Sequence, residues 1–418
     1  MPATPPSTIL LLTTPHTYRA EAFMAAAKRL AIPLVTAVDL PPELAQQWPG
    51  KLALDFRQPD TAVQTICDFA QTTPLTAILP VDDSGVLIAA RASQALGLPH
   101  NRPEAATAAR DKLVMRQLLQ TGGVPTPPFY GFDLADTLER VTAVVQSHIG
   151  FPCVVKPRTL NGSRGVIRAN DVVELATAVR RVQVLLQSIS ADGFLVEGYL
   201  PGVEVALEAV LDNGRLQPLA LFDKPDPLEG PFFEETIYVT PSRLPAATQT
   251  AVVEMAAQGA QAIGLQTGSV HAELRLNEGG AWIVEVNGRS IGGLCSQTLR
   301  FDMGMSLEEL LLRQVMGLDI TGLQREQQAS GVMMIPIPRP GILRRVEGIE
   351  AAQAVPGIDE ITITVPEHHR LAPLPEGESY LGFIFATGQT PDMVEEALRV
   401  AHGRLHFVID EEIPLLIR

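Results

Sequence analysis

The chain has 418 residues, of which 46% are hydrophobic and 19% charged, with a formal net charge of −15 at pH 7. That length exceeds what one ordinary core organises and predicts about two to four domains. No apolar run reaches the roughly 20 residues that span a bilayer, so a soluble globular protein is expected. The negative charge opposes non-specific binding to nucleic acid or to an anionic membrane. Cys67, Cys153 and Cys295 form neither a CxxC spacing nor an even set, which argues against a disulfide framework or a structural zinc site and fits a reducing cytoplasm.

Ile9-Leu-Leu-Leu12 follows a Pro-rich leader that has no basic flank and no small-residue cleavage site; it predicts a buried strand rather than a signal peptide. Strands over 8–12, 34–39 and 77–80 then alternate with helices over 19–30 and 61–71, the βαβ rhythm of a parallel sheet. Asp82 and Asp83 follow the last of these strands, at the end where open α/β sheets bind ligands, and also where a helix N-cap wants such a residue. A helix over 110–121 stops at Gly122-Gly123 and leads into the stiff stretch Val124-Pro-Thr-Pro-Pro128. A domain boundary falls just before it, at 108/109.

From Phe151 the order is strand 153–157, the loop Asn161-Gly-Ser-Arg-Gly165, strand 166–168, helix 171–187 and strand 194–197. Long alternating strands over 203–210 and 216–221, a helix over 246–263 and a hairpin follow, giving a central domain over 109–330 split near 190. From Gly331 a separate small α+β unit is expected through 418, with strands near 331–336, 360–365 and 382–386 and a helix over 391–403.

The hairpin carries the most specific chemistry. Glu285 and Asn287 are two apart on a strand and so share a face, and Glu273 supplies a second carboxylate from the neighbouring strand. Oxygen ligands of this kind suit Mg²⁺ (or Mn²⁺) completed by water and nucleotide phosphates; an acidic, solvated hairpin is the plainer alternative. Neither Gly-x4-Gly-Lys-Ser/Thr nor Gly-x-Gly-x-x-Gly nor HExxH occurs. Lys156 ends an apolar strand, and Gly162 and Gly165 let the next loop turn backbone N–H groups toward phosphoryl oxygens, although a surface lysine and an ordinary turn would look the same.

Order and spacing together resemble the ATP-grasp superfamily across nearly the whole chain. The matching series is Asp111-Lys112 before Gly-Val-Pro-Thr-Pro, Phe-Pro-Cys-Val-Val-Lys-Pro, the Gly-containing loop, Val-Glu-Gly-Tyr-Leu-Pro-Gly-Val-Glu, and then Glu and Glu-x-Asn-x-Arg. The resemblance implies an ATP-grasp fold with an N-terminal Rossmann-like domain. It implies that Lys112 and Lys156 meet the ATP phosphates, and that Ser163, Arg164 and Gly165 close over them in a loop mobile without nucleotide. Glu197, Gly198, Tyr199 and Leu200 would hold adenine through backbone and carboxylate, and Glu204 the ribose. Glu273, Glu285 and Asn287 would bind magnesium, and Arg289 would contact the reacting carboxylate or the transferred phosphoryl.

Within that superfamily the chain resembles the L-amino acid ligases and their carnosine-synthase-like relatives. Phe222-Asp-Lys-Pro225, Pro231-Phe-Phe-Glu-Glu235, Val239-Thr-Pro-Ser242 and Asn287-Gly-Arg-Ser-Ile-Gly-Gly293 carry this narrower likeness. It implies a homodimeric carboxylate–amine ligase that joins two amino acids through an acyl phosphate and releases ADP and phosphate. Glu235, His271, Gly292 and Gly293 are candidate substrate contacts, and Lys224 is either a site cation or a surface charge. The short phosphate loop and the lack of a biotinyl-lysine motif disfavour a biotin carboxylase. A purine-pathway ligase and a non-catalytic ATP-binding protein remain as alternatives.

Overall fold

The computed structural model describes residues 8–411 apart from 16, 18, 42, 43, 45–51, 190, 192, 378 and 379. The Pro-rich leader lies outside the described residues. Among them, no helix is long and apolar enough to cross a membrane.

The N-terminal region builds a parallel four-stranded sheet from β1 (Thr8–Thr13), β2 (Leu34–Asp39), β3 (Leu52–Leu54) and β4 (Leu75–Pro80), in the order β3-β2-β1-β4. Its helices are α1 (Ala20–Arg29), α2 (Pro59–Thr72) and α3 (Asp83–Leu96), with the short α4 (Pro103–Ala108) after them. Ile9 to Leu12 are fully buried because β1 is covered on both faces. Ile9 and Leu11 pack with Phe23 and Ala26 of α1, whereas Leu10 and Leu12 pack with Ile66 of α2 and Ile88 of α3.

Helix α5 (Lys112–Thr121) is capped by Asp111, whose carboxylate accepts the Leu113 and Val114 amides. A small lobe follows, made of β5 (Phe129–Phe132), α6 (Leu138–Val144), β6 (Cys153–Pro157), β7 (Ile167–Ala169), α7 (Val172–Ser188) and β8 (Phe194–Gly198), with strand order β5-β8-β6-β7. Leu175, Val179, Val182 and Leu186 recur at helical spacing along α7 and bury against Val155, Phe194 and Val196. Because β8 belongs to this sheet, the lobe changes after Gly198 rather than near 190.

The large lobe is an antiparallel sheet that starts with β9 (Val203–Asp212), β10 (Arg215–Asp223) and β11 (Ile237–Thr240). After α8 (Ala246–Ala262) come β12 (Gly268–Asn277) and β13 (Gly280–Asn287). Val205, Leu207, Ala209 and Leu211 of β9 face α8, and α5 packs on the same side through Met115 and Leu119. Gly259 lets α8 settle on β13: a Cβ there would lie 2.3 Å from Ile283 Cδ1. Period-two alternation turns Glu204 and Glu208 to the opposite face, where both are buried.

Beyond the small ladder β14 (Arg300–Phe301) with β15 (Met305–Ser306) and helix α9 (Leu307–Val315) lies β16 (Ala329–Ile335). The chain continues through β17 (Gly341–Glu347), α10 (Ile349–Gln353), β18 (Ile358–Ile363), β19 (Arg370–Leu371), β20 (Gly382–Gly388), α11 (Pro391–His402) and β21 (His406–Asp410). The C-terminal segment does not stand apart as expected. β16, β20 and β18 extend the large-lobe sheet to eight strands, in the order β13-β12-β9-β10-β11-β16-β20-β18. β11 pairs antiparallel with β16, Ile237 opposite Met333 and Thr240 opposite Ser330, so a fully buried strand keeps no open edge.

Phe194 is fully buried in the small-lobe core. Phe194→Ala should cost about 3–5 kcal/mol, seen as a lower urea midpoint for that lobe; a loss below about 1 kcal/mol contradicts this packing.

Candidate active site

The carboxyl ends of β1 and β4, the small lobe and the polar face of the large-lobe sheet converge on a cavity of about 520 Å³. Lys112, Lys156, Ser163, Arg164 and Glu197 to Leu200 line one side. Glu204, Glu235, His271, Glu273, Glu285, Asn287, Arg289, Gly292 and Gly293 line the rest. Of the expected site residues, Gly165 and the candidate Lys224 are outside this lining. The Gly165 N–H donates to Pro375 O at 2.8 Å.

Lys112 is the first residue of α5, where the Asp111 cap fixes its backbone. Its ammonium donates to Leu160 O at 2.8 Å and lies 3.0 Å from the Glu285 carboxylate, joining small lobe to large. Lys156 lies 2.5 Å from Glu197, and Arg116 grips the same carboxylate with two bonds of 2.7 and 3.1 Å. Arg116 also donates to the Ile283 and Val284 carbonyls of β13, each at 3.0 Å. Burial would raise the Glu197 pKa, but Arg116 and Lys156 outweigh it and bring it down to about 2. The Glu197 carboxylate expected to face adenine is thus paired with Arg116 and Lys156 in a buried triad. Its strand places Gly198 to Leu200 at the cavity wall.

Glu273 faces Glu285, and His271 faces Asn287, in the β12–β13 register. The tight carboxylate group among the described residues is a different one, Glu204, Glu235 and Glu273, whose oxygens lie within 4.8 Å of one another. Lys224 sits among them, 2.8, 2.6 and 3.3 Å away respectively; it is buried, not a surface charge. Tyr238 donates to Glu235 at 2.7 Å. Burial raises the Glu235 pKa to about 7 against the pull of Lys224. The same burial would raise Glu273, but Lys224 and His271 hold it well below its ordinary range. Glu273, Glu285 and Asn287 offer only carboxylate and amide oxygens to the cavity, a donor set that fits a hard divalent cation.

His271 Nδ1 is 3.2 Å from Glu208, and the same Glu208 oxygen accepts the Ile291 N–H at 3.0 Å. Arg289 donates to Asp83 at 2.8 Å and to Ser290 O at 3.0 Å, so Asp83 serves the site rather than merely starting a helix. Asp82 does not cap α3; it accepts the Thr14 and Thr17 hydroxyls at 3.0 and 3.2 Å. Gly293 has φ +59, and a Cβ would lie 3.0 Å from the Phe383 ring, so a side chain there would be strained and crowded. The phosphate loop, expected to be free to move, is braced by the C-terminal segment. Besides the Gly165 bond, Arg164 donates to Glu376 O at 2.9 Å, and Arg181 of α7 pairs with the Glu376 carboxylate.

Sequence reasoning passes over Arg116, Glu208 and Arg19. Arg116 lies four residues after Lys112 on one helix face, a pairing of cations that could have drawn notice. Glu208 alternates with Leu207 and shares the Glu204 face, a signal of the same kind. Arg19 meets the site only through tertiary packing.

Residues 149–298 match the family model for an ATP-grasp domain, and residues 333–410 that for L-amino acid ligase C-terminal domain 2. The alanine–anticapsin ligase of Bacillus subtilis (strain 168) is 28% identical over 281 residues, 62% of this chain and 58% of that protein. A D-alanine–D-alanine ligase of Synechococcus sp. (strain JA-3-3Ab) is 30% identical over 234 residues, 53% of this chain and 68% of that one. The L-amino acid ligase structure from Bacillus licheniformis superposes with a TM-score of 0.82 at 24% identity, covering 98% of this chain and 100% of that chain. The chain belongs to the ATP-grasp family. Within it, the C-terminal segment is that of the L-amino acid ligases. The match spans 54%, 58% and 61% of the length of three curated relatives.

Burial alone would lower the His271 pKa, but its bonds to Glu208 and Glu273 bring it up to about 9 from 6.5. The stability this contributes is complete below pH 6.5 and is lost as pH rises through about 9. An NMR titration should place the imidazole midpoint near 9; a midpoint at or below its ordinary value contradicts the ion pairing.

Proposed function

We propose that this protein is an ATP-dependent carboxylate–amine ligase that joins two amino acids through an acyl phosphate and releases ADP and phosphate. The observation that carries the reading is the meeting of Lys112 and Lys156 with Glu273, Glu285, Asn287 and Arg289 in one cavity. The ligase names of the curated relatives support it. In this reading, residues 1–108, 109–330 and 331–418 act as the N-terminal, ATP-grasp and C-terminal units. The cytoplasmic location and the homodimer implied by the family resemblance belong to the same proposal.

Lys112 and Lys156 neutralise the nucleotide phosphates, and the loop over Ser163 to Gly165 covers them. The backbone of Gly198 to Leu200 frames the base. Glu204 receives the ribose hydroxyls, with Lys224 and Arg275, 2.8 Å away on either side, fixing its carboxylate. Glu273, Glu285 and Asn287 would hold magnesium, which when bound would supply positive charge at the transferring phosphoryl. Lys112 contacts Glu285 and Lys224 contacts Glu273, so each of these carboxylates has a cation partner within the protein itself. Arg289, oriented by Asp83, offers its guanidinium fork to the donor carboxylate and then to the oxyanion formed when the amine attacks. Walls from three parts of the chain exclude water from the acyl phosphate.

The test is phosphate release from Mg-ATP across paired L-amino acids, with single amino acids and bicarbonate as controls and mass analysis of products. Release that needs a pair, with a condensed product, is the expected result. Release with bicarbonate points to a carboxylase, and release with another carboxylate to a purine-type ligase; silence throughout points to a binding protein. Glu285→Gln should lower turnover by about a hundredfold or more while changing stability by less than about 1 kcal/mol. A variant that unfolds yet keeps its specific activity removes Glu285 from the metal site.

A further inference from the structure

The wall supplied by the N-terminal sheet holds an unusual cation. Arg19 is 4% exposed and lines the cavity. Among the described residues its guanidinium donates to two neutral oxygens, Val81 O at 2.5 Å and the Ser290 hydroxyl, and its buried Nε has no partner. Among the described residues no carboxylate lies within ion-pair distance of it. Burial and the neighbouring Arg289 hold its pKa below the ordinary range, against the more distant pull of Asp82, Glu308 and Glu208. A guanidinium buried without a counter-ion is costly, and a second arginine beside it raises the cost. An anion arriving in the cavity would relieve both. Beside Arg19 the same wall presents Asp82, half-buried, its two oxygens steadied by Thr14 and Thr17.

We propose that Arg19 and Asp82 form the seat of the amine-donating substrate: Arg19 takes its α-carboxylate and Asp82 its ammonium. This rests on the ligase reading above and narrows it, since the acceptor must then be a free α-amino acid rather than an amine or an amide. A phosphoryl group is a poor occupant here, because Asp82 and Asp83 repel a dianion while Lys112 and Lys156 wait elsewhere in the same cavity. The activated carboxylate is a poor occupant as well. It loses its charge on becoming an acyl phosphate, whereas the acceptor's carboxylate keeps its charge through both steps and balances Arg19 throughout. A planar guanidinium matches a carboxylate edge to edge, and the adjacent acid completes the recognition of a zwitterion.

The experiment compares, for whichever L-amino acid condenses as acceptor, the free acid with its own α-amide in the full-length enzyme. Hydroxylamine in place of the acceptor reports donor activation alone, as hydroxamate. The wild type should prefer the free acid by about a hundredfold or more in kcat/KM. Arg19→Gln should reduce that ratio by about thirtyfold, and Arg19→Lys should restore part of it. A merely structural arginine would lower both acceptors alike and leave the ratio intact, which overturns the assignment. Asp82→Asn should raise the acceptor KM with little change in donor KM; an unchanged acceptor KM removes Asp82. If Arg19→Gln fails to fold, the wild-type comparison still decides, because equal use of acid and amide overturns the proposal. Hydroxamate without discrimination leaves the ligase standing and removes the zwitterion seat. Neither hydroxamate nor product from any donor removes the ligase reading itself.

Discussion

The buried triad Arg116–Glu197–Lys156 is the constraint on which the cavity depends. One carboxylate receives two cations, from α5 and β6, and Arg116 reaches on to two carbonyls of β13. Four elements of two lobes thus share one set of charged hydrogen bonds. Removing one member of such a set costs about 3–5 kcal/mol, because the remaining charges stay buried, whereas apolar residues of equal volume can be as stable. What the triad supplies beyond stability is register. It holds β8, β6 and the β12–β13 hairpin at a fixed separation.

The same logic repeats outward. Lys224 stands among Glu204, Glu235 and Glu273, His271 bridges Glu208 and Glu273, and Arg289 leans on Asp83. Glu204, Glu273 and Glu285 are each paired with a cation. Charge is therefore nearly balanced around the cavity. Arg19 is the exception: it donates to a carbonyl and a hydroxyl, and among the described residues no carboxylate lies within ion-pair distance of it.

Much of this was legible in the sequence wherever the signal is local. The Ile9–Leu12 run marks a strand covered on both faces, and two-residue spacing sets Glu285 and Asn287 on a common face. Glu273 opposite Glu285 follows from a tight hairpin. The joining of β16 to β11 was not legible, because nothing in 331–336 says which distant edge it completes. Nor was the fate of the Glu197 carboxylate, since Arg116 comes from a helix eighty-one positions earlier and only tertiary packing brings them together. The brace between Gly165 and Pro375 is hidden for the same reason. Chain alternation reports faces; partners across long separations come from packing.

In the proposed reaction a carboxylate is activated by phosphoryl transfer in this cavity. Oxygen transfer tests it most directly: the donor amino acid is labelled with ¹⁸O in its carboxylate, and the phosphate released from Mg-ATP during condensation is analysed by mass. Attack of the carboxylate on the γ-phosphoryl, followed by amine displacement, predicts one labelled oxygen in each phosphate released. Phosphate without label, formed at the same rate as product, would contradict the account.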